Sequence, residues 1–197
     1  MASTRRRGRP ADEPPPTGSS GVDREPDAES VARAVALRLL TGAPRSRAQL
    51  ADAMARKEVP EDVADRVLDR FAEVGLIDDD AYARMLVRTH HAERGLSRRA
   101  LAVELRRRGI DSDTASVALD EVDEDDEEAA ARVLVRRKLA ATTGLAPDVR
   151  ARRTYAALGR KGYPPGLVAR LVREELTGSG FEAVAWDAGE TETSGGL

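Results

Sequence analysis

One short pattern occurs three times in this chain, and an internal repeat constrains architecture before any single residue does. Met54-Ala55-Arg56-Lys57-Glu58-Val59-Pro60 is followed by Leu105-Arg106-Arg107-Arg108-Gly109-Ile110-Asp111 and by Leu158-Gly159-Arg160-Lys161-Gly162-Tyr163-Pro164. Each copy holds an apolar residue, a basic pair, a break, a second apolar residue, and then a Pro or Asp suited to starting a helix. The copies lie 51 and 53 residues apart. A helical unit of that size is marginal alone, so neighbouring units must stack or share helices to gain burial.

The periodicity between the copies is helical. Val31, Val35 and Leu39 recur at i, i+4 and i+8, and Gly42 with Pro44 stops that run. Ser46-Arg47-Ala48-Gln49 reads as a capping box before Leu50 and Met54. Pro60 is expected at a first helical position, ahead of the stripe Val63, Val67, Phe71, with Gly75 as the stop. The second unit repeats this plan. Asp78 to Asp80 open a helix, Gly95 breaks it, Ser97 caps the next helix with Leu101 and Leu105, Gly109 closes that, and Asp111 caps a third. In the third unit a helix from about Asp125 carries Ala131, Val135 and Leu139. Pro147 starts a second, which reaches Leu158, and Pro164-Pro165 a last.

The expected fold is all-α: three tandem three-helix repeats at 28–77, 78–122 and 123–176, in an elongated, curved array. Residues 1–27, with Arg5-Arg6-Arg7 and Pro14-Pro15-Pro16, and residues 177–197, with Trp186, are expected to be disordered arms too poor in apolar surface to offset their ordering entropy. Thr154 stands where the first two units have Leu50 and Leu101, so the third is expected to pack differently.

The chemistry points away from catalysis. There is no cysteine, no GxxxxGK[ST] loop and no GxGxxG. His90 and His91 are the only histidines and, on a helix, face about 100° apart, which does not suit chelation of one metal. No cofactor is expected. No apolar run approaches the ~20 residues of a membrane span, and no apolar segment follows the N-terminal arginines as in a secretory signal. A cytoplasmic monomer without a membrane partner is the expectation.

Charge is segregated instead. Residues 129–176 carry eleven Lys and Arg against three acids, while Asp120 to Glu128 are acidic at every position except Val122. The macrodipole explains part of this, since acids suit helix starts and bases helix ends. Arg98 and Arg106, and one step round Arg99 and Arg107, lie eight apart and form a basic stripe continued by Arg108, opposite Leu101 and Leu105. The corresponding positions elsewhere are Lys57 and Arg152, Arg153, Arg160 and Lys161. A solvated face explains any one of these cations. Their recurrence marks the set as a candidate surface for an acidic protein or for nucleic-acid phosphates.

The order of motifs resembles the RecX family, regulatory proteins of the bacterial RecA recombinase, over residues 29–176. The carriers are Gly75-Leu76-Ile77-Asp78-Asp79 leading into Tyr82-Ala83, then Arg94-Gly95, then Ala100-Leu101 through Glu104-Leu105 to Arg108-Gly109-Ile110, and Lys161-Gly162-Tyr163 in the third unit. The resemblance implies tandem three-helix repeats without catalytic activity. It also implies binding in the groove of the RecA–DNA filament, which limits ATP hydrolysis, strand exchange and filament growth. Some members of the family also bind DNA, single- or double-stranded. Two other readings stay open on the residues alone. One is a helix-turn-helix regulator using Arg98–Arg108, which the single amide residue of the chain, Gln49, makes a poor reader of adenine. The other is a passive helical scaffold.

Overall fold

A computed structural model describes residues 27–178, and among these it holds nine helices and no strand. They are α1 (Ala28–Gly42), α2 (Arg47–Ala55), α3 (Glu61–Glu73), α4 (Asp79–Arg94), α5 (Arg98–Arg107), α6 (Ser112–Leu119), α7 (Glu124–Ala140), α8 (Pro147–Gly159) and α9 (Pro165–Gly178). The arms expected to be disordered, Trp186 included, fall outside these residues apart from Asp27, Thr177 and Gly178. Pro60 precedes α3 as its cap rather than opening it, and α7 starts at Glu124 behind the capping carboxylate of Asp123.

The helices pack as three consecutive triplets, each around its own apolar cluster. Leu50, Met54, Leu68 and Phe71 centre the first, Leu86, Leu101, Leu105 and Ile110 the second, and Val135, Leu158, Leu171 and Val172 the third. Fully burying such a side chain contributes about 1.5–3 kcal/mol, so each module derives most of its stability from its own core. Thr154 is fully buried in the place of Leu50 and Leu101, and its hydroxyl donates to the Arg150 carbonyl at 2.9 Å, which satisfies the polar atom within its own helix. Tyr163 is buried where the other modules have Val59 and Ile110.

Between modules the contacts are polar and recur. The first N–H groups of a helix lack intrahelical acceptors, and the middle helix of each leading module finds one in the module that follows. The Arg47 N–H at the start of α2 donates to Asp79 Oδ1 at 2.8 Å, and the Arg98 N–H at the start of α5 donates to Glu127 Oε1 at 2.9 Å. The capping serine meets the next module's middle turn in both cases. Ser46 Oγ donates to the Arg108 carbonyl at 2.5 Å, and the Ser97 N–H donates to the Lys161 carbonyl at 3.0 Å. The Tyr82 hydroxyl, donating to Gln49 Oε1 at 3.3 Å, adds to the first joint. Lys161 Nζ, donating to the Arg94 carbonyl, adds to the second.

Gly109 and Gly162 let these turns approach. Both have left-handed φ, 74° and 86°. A Cβ on Gly109 would lie 2.3 Å from the Ala48 Cβ, and one on Gly162 would lie 2.5 Å from Ser97 Oγ and 2.9 Å from the Ala100 Cβ. Gly75 has a similar φ of 71° in open space and so isolates the backbone contribution. Gly75→Ala is expected to lose about 1 kcal/mol from the left-handed backbone alone. Gly109→Ala adds overpacking of about 1–3 kcal/mol. Denaturant titration of the two variants checks this, and equal losses would contradict a close-packed joint.

Candidate partner-binding surface

The structure divides the basic residues singled out by the sequence into two groups. Arg98 is held at the base of α5: its Nη2 lies 2.6 Å from Asp120 Oδ1 and its Nη1 donates to the Val122 carbonyl at 3.2 Å. Arg108 is 29% exposed in its side chain, donates to the Tyr82 hydroxyl at 2.6 Å, and grips Glu104 Oε1 through Nε and Nη2 at 3.2 and 2.9 Å. Lys161 is half-buried over the end of α4. These three cations therefore serve the joints and the ends of α5 and α6, and the stripe does not run unbroken from Arg98 to Arg108.

The second group faces solvent. Lys57, Arg99, Arg106, Arg152, Arg153 and Arg160 are exposed, and none has an ion-pair partner among the described residues. Arg107 is 81% exposed and only loosely paired, 3.9 Å from Glu104. Superposing the buried positions Met54, Leu105 and Leu158 makes Arg56, Arg107 and Arg160 equivalent. The first member of each basic pair is thus exposed in all three modules. The second is exposed as Lys57, bound to Tyr82 and Glu104 within its own module as Arg108, and engaged in a joint as Lys161.

Arg94, Arg137 and Lys138 belong beside Lys161, although the repeat pattern did not mark them. Burial pushes the Lys161 ammonium below its ordinary value, and Arg137 and Lys138 push it the same way. The Lys161–Arg94 contact and the approach of Gly95 to Leu134, where a Cβ would lie 2.9 Å from Cδ1, bring α4, α7 and the α8–α9 turn together. For Arg137 and Lys138 the signal in the sequence was the density of bases after residue 129, and the clustering with Arg94 depends on how modules two and three dock.

Five of the eight acids in the run 120–128 are bound within the fold, while Glu124, Asp125 and Asp126 at the start of α7 are exposed. Asp120 pairs with Arg98, Glu121 with Arg84 and Arg88, Asp123 caps α7 by accepting the Asp126 N–H at 2.7 Å, and Glu127 accepts the Arg98 N–H. Glu128 sits between Arg170, at 2.5 Å, and Arg132, at 2.9 Å, and these bonds hold its carboxyl down at about 2. Arg132 also reaches Glu174 at 2.8 Å and Glu175 at 3.3 Å, and Glu175 meets Arg136 at 2.9 Å, so α9 is tied to α7 by a network. His90 is buried in its module, and the His91 Nδ1 lies 3.1 Å from the Leu96 carbonyl. Among the described residues no group of three or more His, Cys, Asp or Glu side chains is placed to hold a metal ion, and no helix is long and apolar enough to cross a membrane.

Three three-helix modules in series, joined by polar contacts, define an all-helical repeat protein, and an exposed cation recurs in each module. Models of the first, second and third three-helix domains of RecX match residues 32–71, 78–119 and 125–172 respectively. The regulatory protein RecX of Thermobifida fusca is 54% identical over 168 residues, covering 85% of this chain and 89% of the relative. Those of Streptomyces coelicolor and Mycobacterium marinum are 50% and 44% identical over 83% of this chain, with 89% and 92% of the relatives covered. The crystal structure of RecX from Lactobacillus salivarius shares the fold, with a TM-score of 0.66 at 20% identity over 75% of this chain and 96% of that one. The chain belongs to the RecX family of regulatory proteins.

The α7–α9 network makes a pH prediction. The folded-state carboxyls of Glu128 and Glu175 lie below their ordinary value of 4.5. Their contribution to stability is therefore complete above that value and is lost as pH falls below it, toward about 2 for Glu128. Glu128→Gln is expected to lower stability at neutral pH and to show a smaller further loss between pH 5 and pH 2 than the wild type. Thermal melts across that range check this; parallel pH profiles would contradict it.

Proposed function

We propose that this protein is a non-enzymatic regulator that binds the filament of a RecA-type recombinase in the cytoplasm and restrains its ATP hydrolysis, strand exchange and growth. Membership of the RecX family supports the regulatory role, and the resemblance that marked the sequence supplies the partner. The observation that carries the surface is the cation that stays exposed in all three modules, Arg56, Arg107 and Arg160, flanked by Lys57, Arg99, Arg106, Arg152 and Arg153. A filament repeats its own surface at fixed intervals. A chain that repeats a contact residue at each module can engage successive subunits, and weak contacts then combine through effective concentration. Within the acidic run Asp120, Glu121, Asp123, Glu127 and Glu128 are tied into the fold, which supports a basic surface left for acidic protein groups.

A second reading, contact with DNA phosphates, is favoured by one specific observation. Arg94, Arg137, Lys138 and Lys161 gather where modules two and three meet, and neither Arg94, Arg137 nor Lys138 has an ion-pair partner among the described residues. Such a cluster would bind without base preference and with affinity falling steeply as salt rises.

Full-length protein is expected to slow DNA-dependent ATP hydrolysis by the recombinase of the same organism at substoichiometric amounts. Reversing Arg99, Arg106 and Arg107 to Glu is expected to weaken inhibition by roughly tenfold or more, the effect of about 1.4 kcal/mol of lost contact energy. Arg108 is left intact, because its reversal would disrupt the joint. No inhibition at equimolar protein would overturn the proposal. Full inhibition by a folded triple variant would remove these arginines from the contact surface.

A further inference from the structure

Modules two and three clasp their first helix to the end of their third with an ion pair, and module one does not. Aligning the buried Ala32, Ala83 and Ala131 makes Arg33, Arg84 and Arg132 equivalent, and makes Glu29 equivalent to Asp80 and Glu128. Aligning the buried Leu68, Leu119 and Val172 makes Arg70 the counterpart of Glu121 and Glu174, and Arg66 the counterpart of Val117 and Arg170. In module two Arg84 lies 3.8 Å from Glu121, and in module three Arg132 lies 2.8 Å from Glu174. Arg170 also crosses to Glu128 at 2.5 Å.

In module one an arginine stands where the others have glutamate, so a clasp would set Arg33 against Arg70. Each cation pairs along its own helix instead: Arg33 with Glu29, Arg66 with Asp62 at 2.9 Å, and Arg70 with Glu73 at 3.0 Å. Among the described residues no ion pair links α1 to α3. Between them lies a cavity of about 140 Å³, lined by Glu29, Arg33, Arg66 and Arg70 together with Val67 and Phe71. Three cations and one anion therefore face a cleft that the other two modules fill with their own carboxylate.

We infer that this cleft of module one binds an aspartate or glutamate side chain of a partner protein, which supplies from outside the carboxylate that modules two and three carry themselves. Guanidinium groups match a carboxylate in charge and in planar geometry. Val67 and Phe71, both buried in the module core, give the cleft an apolar wall. Such a wall suits the methylene stem of an acidic side chain, which a phosphate lacks. Glu29 lowers the positive charge and favours a monoanion over a dianion. The pairs that Arg66 and Arg70 now make are exposed and within one helix, a weak class that yields readily to a better acceptor. The same exposure leaves the contact open to screening by salt, so it adds to other contacts on one partner rather than holding it alone. The cleft is built from α1 and α3, and the cations of the proposed recombinase surface lie mainly on α5 and α8, so either can fail while the other stands.

Nuclear magnetic resonance titration of the full-length protein tests this, read at the Nε–H groups of Arg33, Arg66 and Arg70 and at the ring of Phe71. The probes are a peptide of alternating glutamate and alanine, and inorganic phosphate at matched ionic strength. The peptide is expected to shift all four signals. Arg70→Glu installs the glutamate of modules two and three. It is expected to raise the midpoint of thermal unfolding by closing the clasp with Arg33, and to weaken peptide binding by roughly tenfold or more. A purely structural role for Arg70 would not couple a gain in stability to a loss of binding. A peptide that leaves the four signals in place, a variant that binds it as tightly as the wild type, or a variant no more stable than the wild type would overturn the inference. Tighter binding of phosphate than of peptide would overturn it too. The chain has acids of its own at Glu182, Asp187, Glu190 and Glu192. Changing these to Gln and Asn in the full chain is expected to leave the four signals of the free protein unmoved, and a shift would overturn the assignment to a partner.

Discussion

The structure depends on how the orphan N–H at the start of each middle helix is satisfied. A helix that began with no acceptor for that group would hold water there, and its neighbour would have no fixed place. In the first two modules the acceptor is a carboxylate on the first helix of the next module, Asp79 or Glu127. Beside it the capping serine binds the carbonyl of Arg108 or Lys161. Charged acceptors make the stronger class of hydrogen bond. Asp79 is half-buried, and burial pushes its carboxyl above its ordinary value against the bond from Arg47 that lowers it. Everything else about the joints follows: a glycine in the turn, a small residue opposite, and a basic side chain folded back over the contact.

This constraint separates architecture from function within the repeated pattern. The residue before the break contributes its carbonyl, and its side chain bends into the molecule as Arg108 or Lys161. The residue before that is left on the surface in every module. A repeat of this kind carries the docking between modules at one position and, in the proposed function, the contact with the partner at the adjacent one. Because the joints are small and polar while each core is self-contained, the modules keep their own shape. That suits a partner built of repeated subunits.

The fold was legible in the sequence because its determinants are local. Capping residues at Ser46, Ser97 and Asp111, the breaks at Gly95 and Gly109, and the 3.6-residue stripes each act within one or two turns of helix. Thr154 was expected to alter the packing of the third module, yet it sits buried in the same place, since its hydroxyl bonds within α8. The candidate surface was legible only in part. Spacing can put Arg98, Arg107 and Arg108 on a helix, but it cannot say that Asp120 and Tyr82 will come to meet Arg98 and Arg108. The grouping of Arg94 with Lys161 depends likewise on contacts across 67 positions of chain.

Amide hydrogen exchange at Arg47 and Arg98 tests the central role of the joints most directly. First-turn N–H groups of a helix ordinarily exchange freely, as those of Glu61 and Ser112 at the starts of α3 and α6 should. If the joints hold in solution, the Arg47 and Arg98 amides are protected well beyond these two. Exchange of Arg47 and Arg98 as fast as that of Glu61 and Ser112 would show that the modules are not linked in this way.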